Sequence, residues 1–340
     1  MKPVELEATA RALVAKGKGI LAADESQPTI QKRFTAIGVE SNEENRRAYR
    51  DMLFSTQGAE EFISGVILFD ETIRQKASDN ALFVDVLKRK GIIPGIKVDK
   101  GTIAMPGFPN EKITMGLDGL SERLNEYHTL GARFAKWRAV IAIGPGIPTK
   151  ACINANAHAL ALYAALSQEA GLVPIVEPEV LMDGDHDIER CKEATYASLK
   201  SVFAKLHEYR VSLEGMLLKP NMVLSGKASP KQTSIAQVAE ATIRCLRRTV
   251  PAAVPGIVFL SGGQSAELAT QHLNAMNAMG THPWEISFSY GRALQDPALK
   301  AWKGSASNVV AAQKQFHHRA KCNGAARFGK YSDQLEKAVS

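Results

Sequence analysis

Eight short apolar runs, bounded by Gly, Pro or Asp, alternate with longer amphipathic stretches: 19–24, 63–69, 92–98, 134–141, 172–177, 215–219, 256–260 and 286–289. Runs of this kind suit strands covered on both faces, and strands separated by helices lie parallel because the crossover returns the chain to the same end of the sheet. Eight is the number that closes a parallel barrel. The stretches at 41–56, 117–130, 150–170, 187–208, 234–248 and 265–279 carry apolar residues at three-and-four spacing, which predicts helices. Ser41-Asn-Glu-Glu opens the first of them as a capping box. A doubly wound open sheet is the alternative, but its glycine-rich dinucleotide fingerprint is missing after the first run. The expected fold is therefore α/β, a single-domain (β/α)8 TIM barrel over 1–340, with the barrel at about 17–305 and a C-terminal helix and mobile tail at about 306–340.

Such a barrel needs a large core, and 340 residues with 45% hydrophobic content supply it. Cys152, Cys191, Cys245 and Cys322 are widely separated and form no C-x-x-C pair, which argues for reduced thiols in a cytoplasmic protein rather than a disulfide framework. No signal-peptide core or bilayer-length apolar stretch is present, so no membrane association is expected. The net charge of +7 is spread along the chain, and its densest clusters, Lys88-Arg89-Lys90 and Arg247-Arg248, are short. With no nucleic-acid motif beside them, they read as solvated surface; a basic excess also suits a phosphorylated metabolite drawn into a positive cleft.

In a parallel barrel, reactive groups gather at the C-terminal ends of the strands. Here Asp24 ends the first run, Lys97 the third, Glu177 the fifth and Lys219 the sixth. Desolvation and a neighbouring cation both penalise an ammonium, so a lysine at such a position can act as an amine nucleophile toward a carbonyl. Period two puts Lys136 and Arg138 on one face of their strand and Glu177 and Glu179 on one face of the next. If those faces look inward, two cations meet two carboxylates beside Lys219; the bland alternative is a buried ion-pair network that fills the barrel. Ser261-Gly262-Gly263 follows the seventh run, and Ser289-Tyr290-Gly291-Arg292 follows the eighth, where these barrels commonly hold phosphate on free backbone N–H groups. His186 and the pair His317-His318 have no partner at metal spacing and read as a loop before a helix cap and a solvated helix face. No metal and no cofactor is expected.

These residues sit in segments that resemble class I fructose-bisphosphate aldolase from about 17 to 331: Gly17-Lys-Gly-Ile-Leu-Ala-Ala-Asp-Glu-Ser26, Gly95-Ile-Lys-Val-Asp-Lys-Gly101, Val173-Pro-Ile-Val-Glu-Pro-Glu179, Leu217-Leu-Lys-Pro-Asn-Met-Val223, Phe259-Leu-Ser-Gly-Gly-Gln-Ser265 and Phe288-Ser-Tyr-Gly-Arg292. The resemblance implies a metal-independent lyase of glycolysis and gluconeogenesis, assembled as a homotetramer. It implies Lys219 as Schiff-base nucleophile, Glu177 as general acid and base with Glu179 beside it, Asp24 as acceptor of the C4 hydroxyl proton, and Lys136 as the group that orients Asp24. It further implies Ser261, Gly262, Ser289, Gly291 and Arg292 around the C1 phosphate, and Ser26, Thr29, Lys97, Arg33 and Arg138 toward the C6 phosphate. Two departures stand out. Animal enzymes commonly read Ser-Thr-Gly-Ser where this chain has Ser26-Gln-Pro-Thr29, and the family's terminal tyrosine is absent, Tyr331 matching an earlier Lys-Tyr. The rival readings are the same chemistry on sedoheptulose 1,7-bisphosphate or fructose 1-phosphate, and a non-catalytic scaffold barrel with a basic rim. A metal-dependent aldolase would need a histidine cluster at the strand ends, which the sequence lacks.

Overall fold

Each apolar run becomes a strand in the computed structural model, which describes residues 3–338. In chain order the strands are β1 (Gly19–Ala22), β2 (Ile63–Leu68), β3 (Ile93–Lys97), β4 (Thr102–Ala104), β5 (Lys112–Thr114), β6 (Phe134–Ile141), β7 (Val173–Val180), β8 (Leu217–Leu218), β9 (Gly256–Phe259) and β10 (Glu285–Tyr290). β1, β2, β3, β6, β7, β8, β9 and β10 close, in that order, into a parallel (β/α)8 TIM barrel. β4 and β5 form an antiparallel hairpin outside it, with three residues a side and therefore too little periodicity to show in the sequence.

Side-chain alternation sorts each barrel strand into an inside and an outside. On β6, Ala135, Trp137 and Ala139 pack outward among the helices, and the Trp137 ring stacks on Tyr163 of the helix Lys150–Glu169 at 5.6 Å. The inward residues Ile20, Ile67, Phe134, Ile175, Leu217 and Val258 meet at the N-terminal end of the barrel. That floor is sealed by the helix Pro3–Leu13, whose Leu6, Ala10 and Leu13 lie on one side at helical spacing. Two strand glycines make room for the seal. A Cβ on Gly95 would lie 2.3 Å from the Phe134 ring, and one on Gly65 would lie 2.6 Å from Leu13 Cδ2.

The six expected helices form within two or three residues of their expected ends. Asn42, not Ser41, caps the helix Glu43–Ser55, accepting the Asn45 N–H at 2.8 Å, while the Ser41 carbonyl accepts from Arg46. Ser and Asn cap equally well, so the two frames, one residue apart, look alike in sequence. The capping box falls instead at Ser234 and Gln237. Asp187 caps the helix Ile188–Glu208, as the loop reading of the segment before it anticipated.

The C-terminal segment expected to be mobile is folded back on the barrel through Lys337. After the helix Val309–Ala326 the Tyr331 N–H donates to Asn274 Oδ1 at 2.9 Å, its hydroxyl donates to Glu336 at 2.5 Å, and the buried Arg319 pairs with Glu336. Composition hid this because one buried arginine recruits the acidic residue across the chain. The end of the expected tail, Val339 and Ser340, lies outside the described residues.

Candidate active site

β6, β7 and β8 change character at the same height. Inward positions run Phe134, Lys136, Arg138 on β6, Val173, Ile175, Glu177, Glu179 on β7, and Leu217, Lys219 from β8. The register sets Arg138 beside Glu177, and the Lys219 N–H donates to Val176 O at 2.8 Å, so the ladder itself fixes these side chains. Above the apolar floor they open into a cavity of about 1110 Å³ at the C-terminal ends of the strands. Every candidate residue lines it: Lys219, Glu177, Asp24, Lys136, Glu179, Ser26, Thr29, Arg33, Lys97, Arg138, Ser261, Gly262, Ser289, Gly291 and Arg292.

Lys136 stands at the centre, 4% exposed, with its Nζ 2.7 Å from Asp24 Oδ2 and 3.3 Å from Glu177 Oε2. Glu177 Oε1 lies 3.3 Å from Lys219 Nζ. Burial alone would raise the Asp24 carboxyl, but Lys136, then Lys219 and Lys97, outweigh it and hold Asp24 well below the usual carboxylate range. Burial alone would lower Lys136; Asp24, Glu177 and Asp99 outweigh it and raise the ammonium above its ordinary value. Lys136 is therefore a fixed cation and Asp24 a fixed anion. Arg138 pairs with Glu179, and Lys97 Nζ sits 2.7 Å from Asp99 Oδ1.

Charges buried this deeply cost several kcal/mol each unless they are matched, and the matching here is incomplete. Glu177 Oε2 is met by Lys136 as an ion pair but without hydrogen-bond geometry, and Ser289 Oγ is buried without a hydrogen-bond partner among the described residues. An amine, a carboxylate in contact with it and a second carboxylate held ionised in the resting site by a shared lysine make a set that can attack a carbonyl, pass protons to and from the adduct, and accept a hydroxyl proton nearby.

Two anion-friendly ends flank this centre. At one end Gly262 and Gly263 adopt left-handed φ of 60° and 85°, and the Gln264 N–H closes their turn on Ser261 O at 3.0 Å. Gly291 and Arg292 follow β10 beside it, and a Cβ on Gly291 would lie 3.3 Å from Ala22 O, which explains a glycine there. Arg33 reaches this same end, with Nη2 3.7 Å from that Cβ position. At the other end, Ser26 precedes the helix Gln27–Thr35, its hydroxyl 3.2 Å from that of Thr29, with Lys97 and Arg138 also on the cavity wall. The departing segment Ser26-Gln-Pro-Thr29 is thus a helix start. Pro28 occupies its first turn, where a missing N–H breaks no intrahelical bond.

Three supporting groups escaped the sequence reading. Glu25 is buried and binds Arg33 at 2.5 Å, Arg50 at 2.6 Å and Gln295 at 2.9 Å, fixing the chain next to Asp24. Asp99 receives Lys97; its spacing of two from that residue was a usable signal. His272 shares a 2.6 Å hydrogen bond with Gln264 Oε1, and Gln264 Nε2 donates to Ser261 O at 3.0 Å. Since that oxygen can only accept, His272 Nδ1–H is the donor. Burial pushes His272 down to about 4, so it stays neutral. Gln264 lies in the turn before the helix cap Ser265, so no helical spacing in the sequence announced the contact.

Of the two non-site histidine readings, His186 lies in the loop before the Asp187 cap as expected, while the His317-His318 reading fails at its second member. His318, expected on a solvated face, is 7% exposed and brings its ring near Cys322, one turn on, and Glu336. Both Glu336 oxygens are already engaged, by Arg319 and by the Tyr331 hydroxyl. Tyr331 itself is not among the residues of the cavity wall.

Comparison with known proteins bears on the same architecture. The family profile described as fructose-bisphosphate aldolase class-I matches residues 5–340. A probable fructose-bisphosphate aldolase class 1 from Xanthomonas campestris pv. campestris is 59% identical over 328 residues, covering 96% of this chain and 98% of the relative. Fructose-bisphosphate aldolase 4, cytosolic, from Arabidopsis thaliana is 54% identical, covering 99% and 86%. The solved structure of the Plasmodium falciparum aldolase, in complex with TRAP and a small-molecule inhibitor, superposes with a TM-score of 0.96 at 52% identity, covering 97% of this chain and 95% of that one.

Proposed function

The chain belongs to the class I fructose-bisphosphate aldolase family of lyases, whose substrate is a sugar phosphate, and from that premise we propose how its residues divide the work. Lys219 Nζ attacks the C2 carbonyl of the ketose, and Glu177, 3.3 Å away, protonates the departing hydroxyl as the carbinolamine becomes an iminium. Asp24 takes the C4 hydroxyl proton; the C3–C4 bond breaks, and its electron pair flows into the iminium to give an enamine. Glyceraldehyde 3-phosphate leaves. Protonation of the enamine at C3 and attack by water at C2 release dihydroxyacetone phosphate and return the amine of Lys219. Lys136 orients Asp24 and keeps it ionised, and Glu179 restrains Arg138.

Ser261, Gly262, Ser289, Gly291 and Arg292, joined by Arg33, receive the C1 phosphate in this reading, and Ser26, Thr29, Lys97 and Arg138 face the C6 phosphate. The observation that carries the proposal is the unbroken contact series Lys219–Glu177–Lys136–Asp24 inside one barrel. Tyr331 donates its hydroxyl to Glu336 and does not line the cavity, so it is not assigned the protonation at C3.

The wider reading is a single-domain cytoplasmic enzyme of glycolysis and gluconeogenesis that works as a homotetramer. Among the described residues no helix is long and apolar enough to cross a membrane, and the exposed Ile103 and Met115 give apolar surface for association. Turnover measured on fructose 1,6-bisphosphate, fructose 1-phosphate and sedoheptulose 1,7-bisphosphate tests the substrate assignment, with the first expected to give the highest kcat/KM. A folded protein that cleaves none of them would support the scaffold reading instead.

A further inference from the structure

The turn at Ser261–Gly262–Gly263 carries a second cation that neither the motif nor the cavity wall includes. Lys227 Nζ and Arg292 Nη2 each lie 2.9 Å from the point where a Cβ on Gly263 would sit, so the two nitrogens are separated by no more than twice that distance. The lysine is held there by its loop. Gly226 N donates to His186 O, Lys227 N to Met182 O and Ala228 N to Gly184 O, all within 2.9 Å, joining the connections after β7 and β8. Gly226 is pressed so closely on Gly184 that a Cβ would come within 2.3 Å of its carbonyl oxygen. The Lys227 backbone is therefore built into place rather than free to wander.

Charge at this spot is unbalanced. Lys227 has one carboxylate partner, the exposed Asp183 at 3.4 Å, and Arg292 makes no ion pair within 4 Å among the described residues, with only Asp296 one turn on exerting a charge on it. Two cations facing each other across a turn with left-handed glycines repel unless an anion lies between them, and the N–H groups of Gly262 and Gly263 have no acceptor among the described residues. We propose that Lys227 is a specificity-determining residue that closes over the phosphate monoester at C1 of the ketose, as the outer partner of Arg292. This inference rests on the assignment of the Gly262–Gly263 turn to the C1 phosphate. It predicts that the chain discriminates by phosphate position: the ligand bearing the C1 phosphate feels Lys227, and the one bearing the C6 phosphate does not.

The condensation direction separates the two, because dihydroxyacetone phosphate supplies the C1 phosphate and glyceraldehyde 3-phosphate supplies the C6 phosphate. In Lys227→Met the KM for dihydroxyacetone phosphate rises about 3- to 10-fold at low ionic strength, with kcat and the KM for glyceraldehyde 3-phosphate within about twofold of the parent. Lys227→Arg restores most of the loss, and competitive inhibition by inorganic phosphate weakens in parallel with the KM. Arg292→Met is measured beside them. If Arg292→Met raises the dihydroxyacetone phosphate KM while Lys227→Met leaves it and the phosphate inhibition unchanged, Lys227 is a surface lysine and the inference fails alone. Equal shifts in both KM values for Lys227→Met also overturn it, since a general disturbance of the loop would do that. If Arg292→Met changes nothing either, the turn is not the C1 site and both readings fall together.

Discussion

The lower and upper halves of the barrel interior are made by the same strands, two residues apart, and they obey opposite rules. Below, Phe134, Ile175 and Leu217 fill the barrel with the seal of Leu6 and Leu13, and each buried side chain of this size contributes about 1.5–3 kcal/mol through removal of apolar surface from water. Above, Lys136, Glu177 and Lys219 occupy the next inward positions, where burial of charge opposes folding. The contrast shows where this chain keeps its stability and where it spends some of it. The floor makes the strands rigid, and the rigid strands hold three lysines and three carboxylates in contacts that flexible loops would relax.

The contrast can be broken most severely at Lys219. Lys219→Ala should lose about 10⁴-fold or more in kcat, yet its unfolding midpoint should stay close to the parent's, because a buried polar side chain has gone and Glu177 keeps Lys136. Thermal unfolding beside cleavage assays checks both; a large loss of stability would mean that the upper charges also hold the fold.

Phe134→Ala is the converse. It removes a fully buried ring that fills the space over Gly95 and should cost about 3–5 kcal/mol in denaturant unfolding, with kcat per folded molecule little changed. A specific loss of kcat in folded protein would show that the floor tunes the site as well as supporting it.

A smaller effect sharpens the comparison by pH. The folded-state value of His272, about 4, lies below its ordinary 6.5, so the unfolded chain binds more protons between the two. Its contribution is complete above about 6.5 and is lost as pH falls toward 4, at most roughly 3 kcal/mol. The stability difference between the parent and His272→Asn should shift by that amount across the window in guanidinium titrations. A constant difference would mean that His272 is solvated and does not brace the Gln264–Ser261 turn.

Much of this was legible because it is local. Phe134, Lys136 and Arg138 declare their shared face by period two alone, and Val173 through Glu179 repeat the change from apolar to charged. What stayed hidden depends on partners distant in sequence. Glu25 reads as one more acidic residue until Arg50 and Gln295 close on it, and Arg33 turns toward Gly291 because Glu25 holds it there. The helix Pro3–Leu13 shows spaced apolar residues, but only the closed barrel reveals the floor they seal. Likewise, His318 and Glu336 meet because the tail folds back, which no composition of Gly, Ala, Lys and Ser foretells.

The central claim is that the charged upper half exists to make Lys219 a covalent catalyst. Incubation with dihydroxyacetone phosphate and borohydride in the presence of a chelator, followed by peptide mass spectrometry, tests it directly. The account predicts a reduced adduct on Lys219, undiminished by the chelator and absent after Lys219→Ala. A folded protein that cleaves substrate but yields no adduct on Lys219, or yields it on another lysine, would contradict the claim.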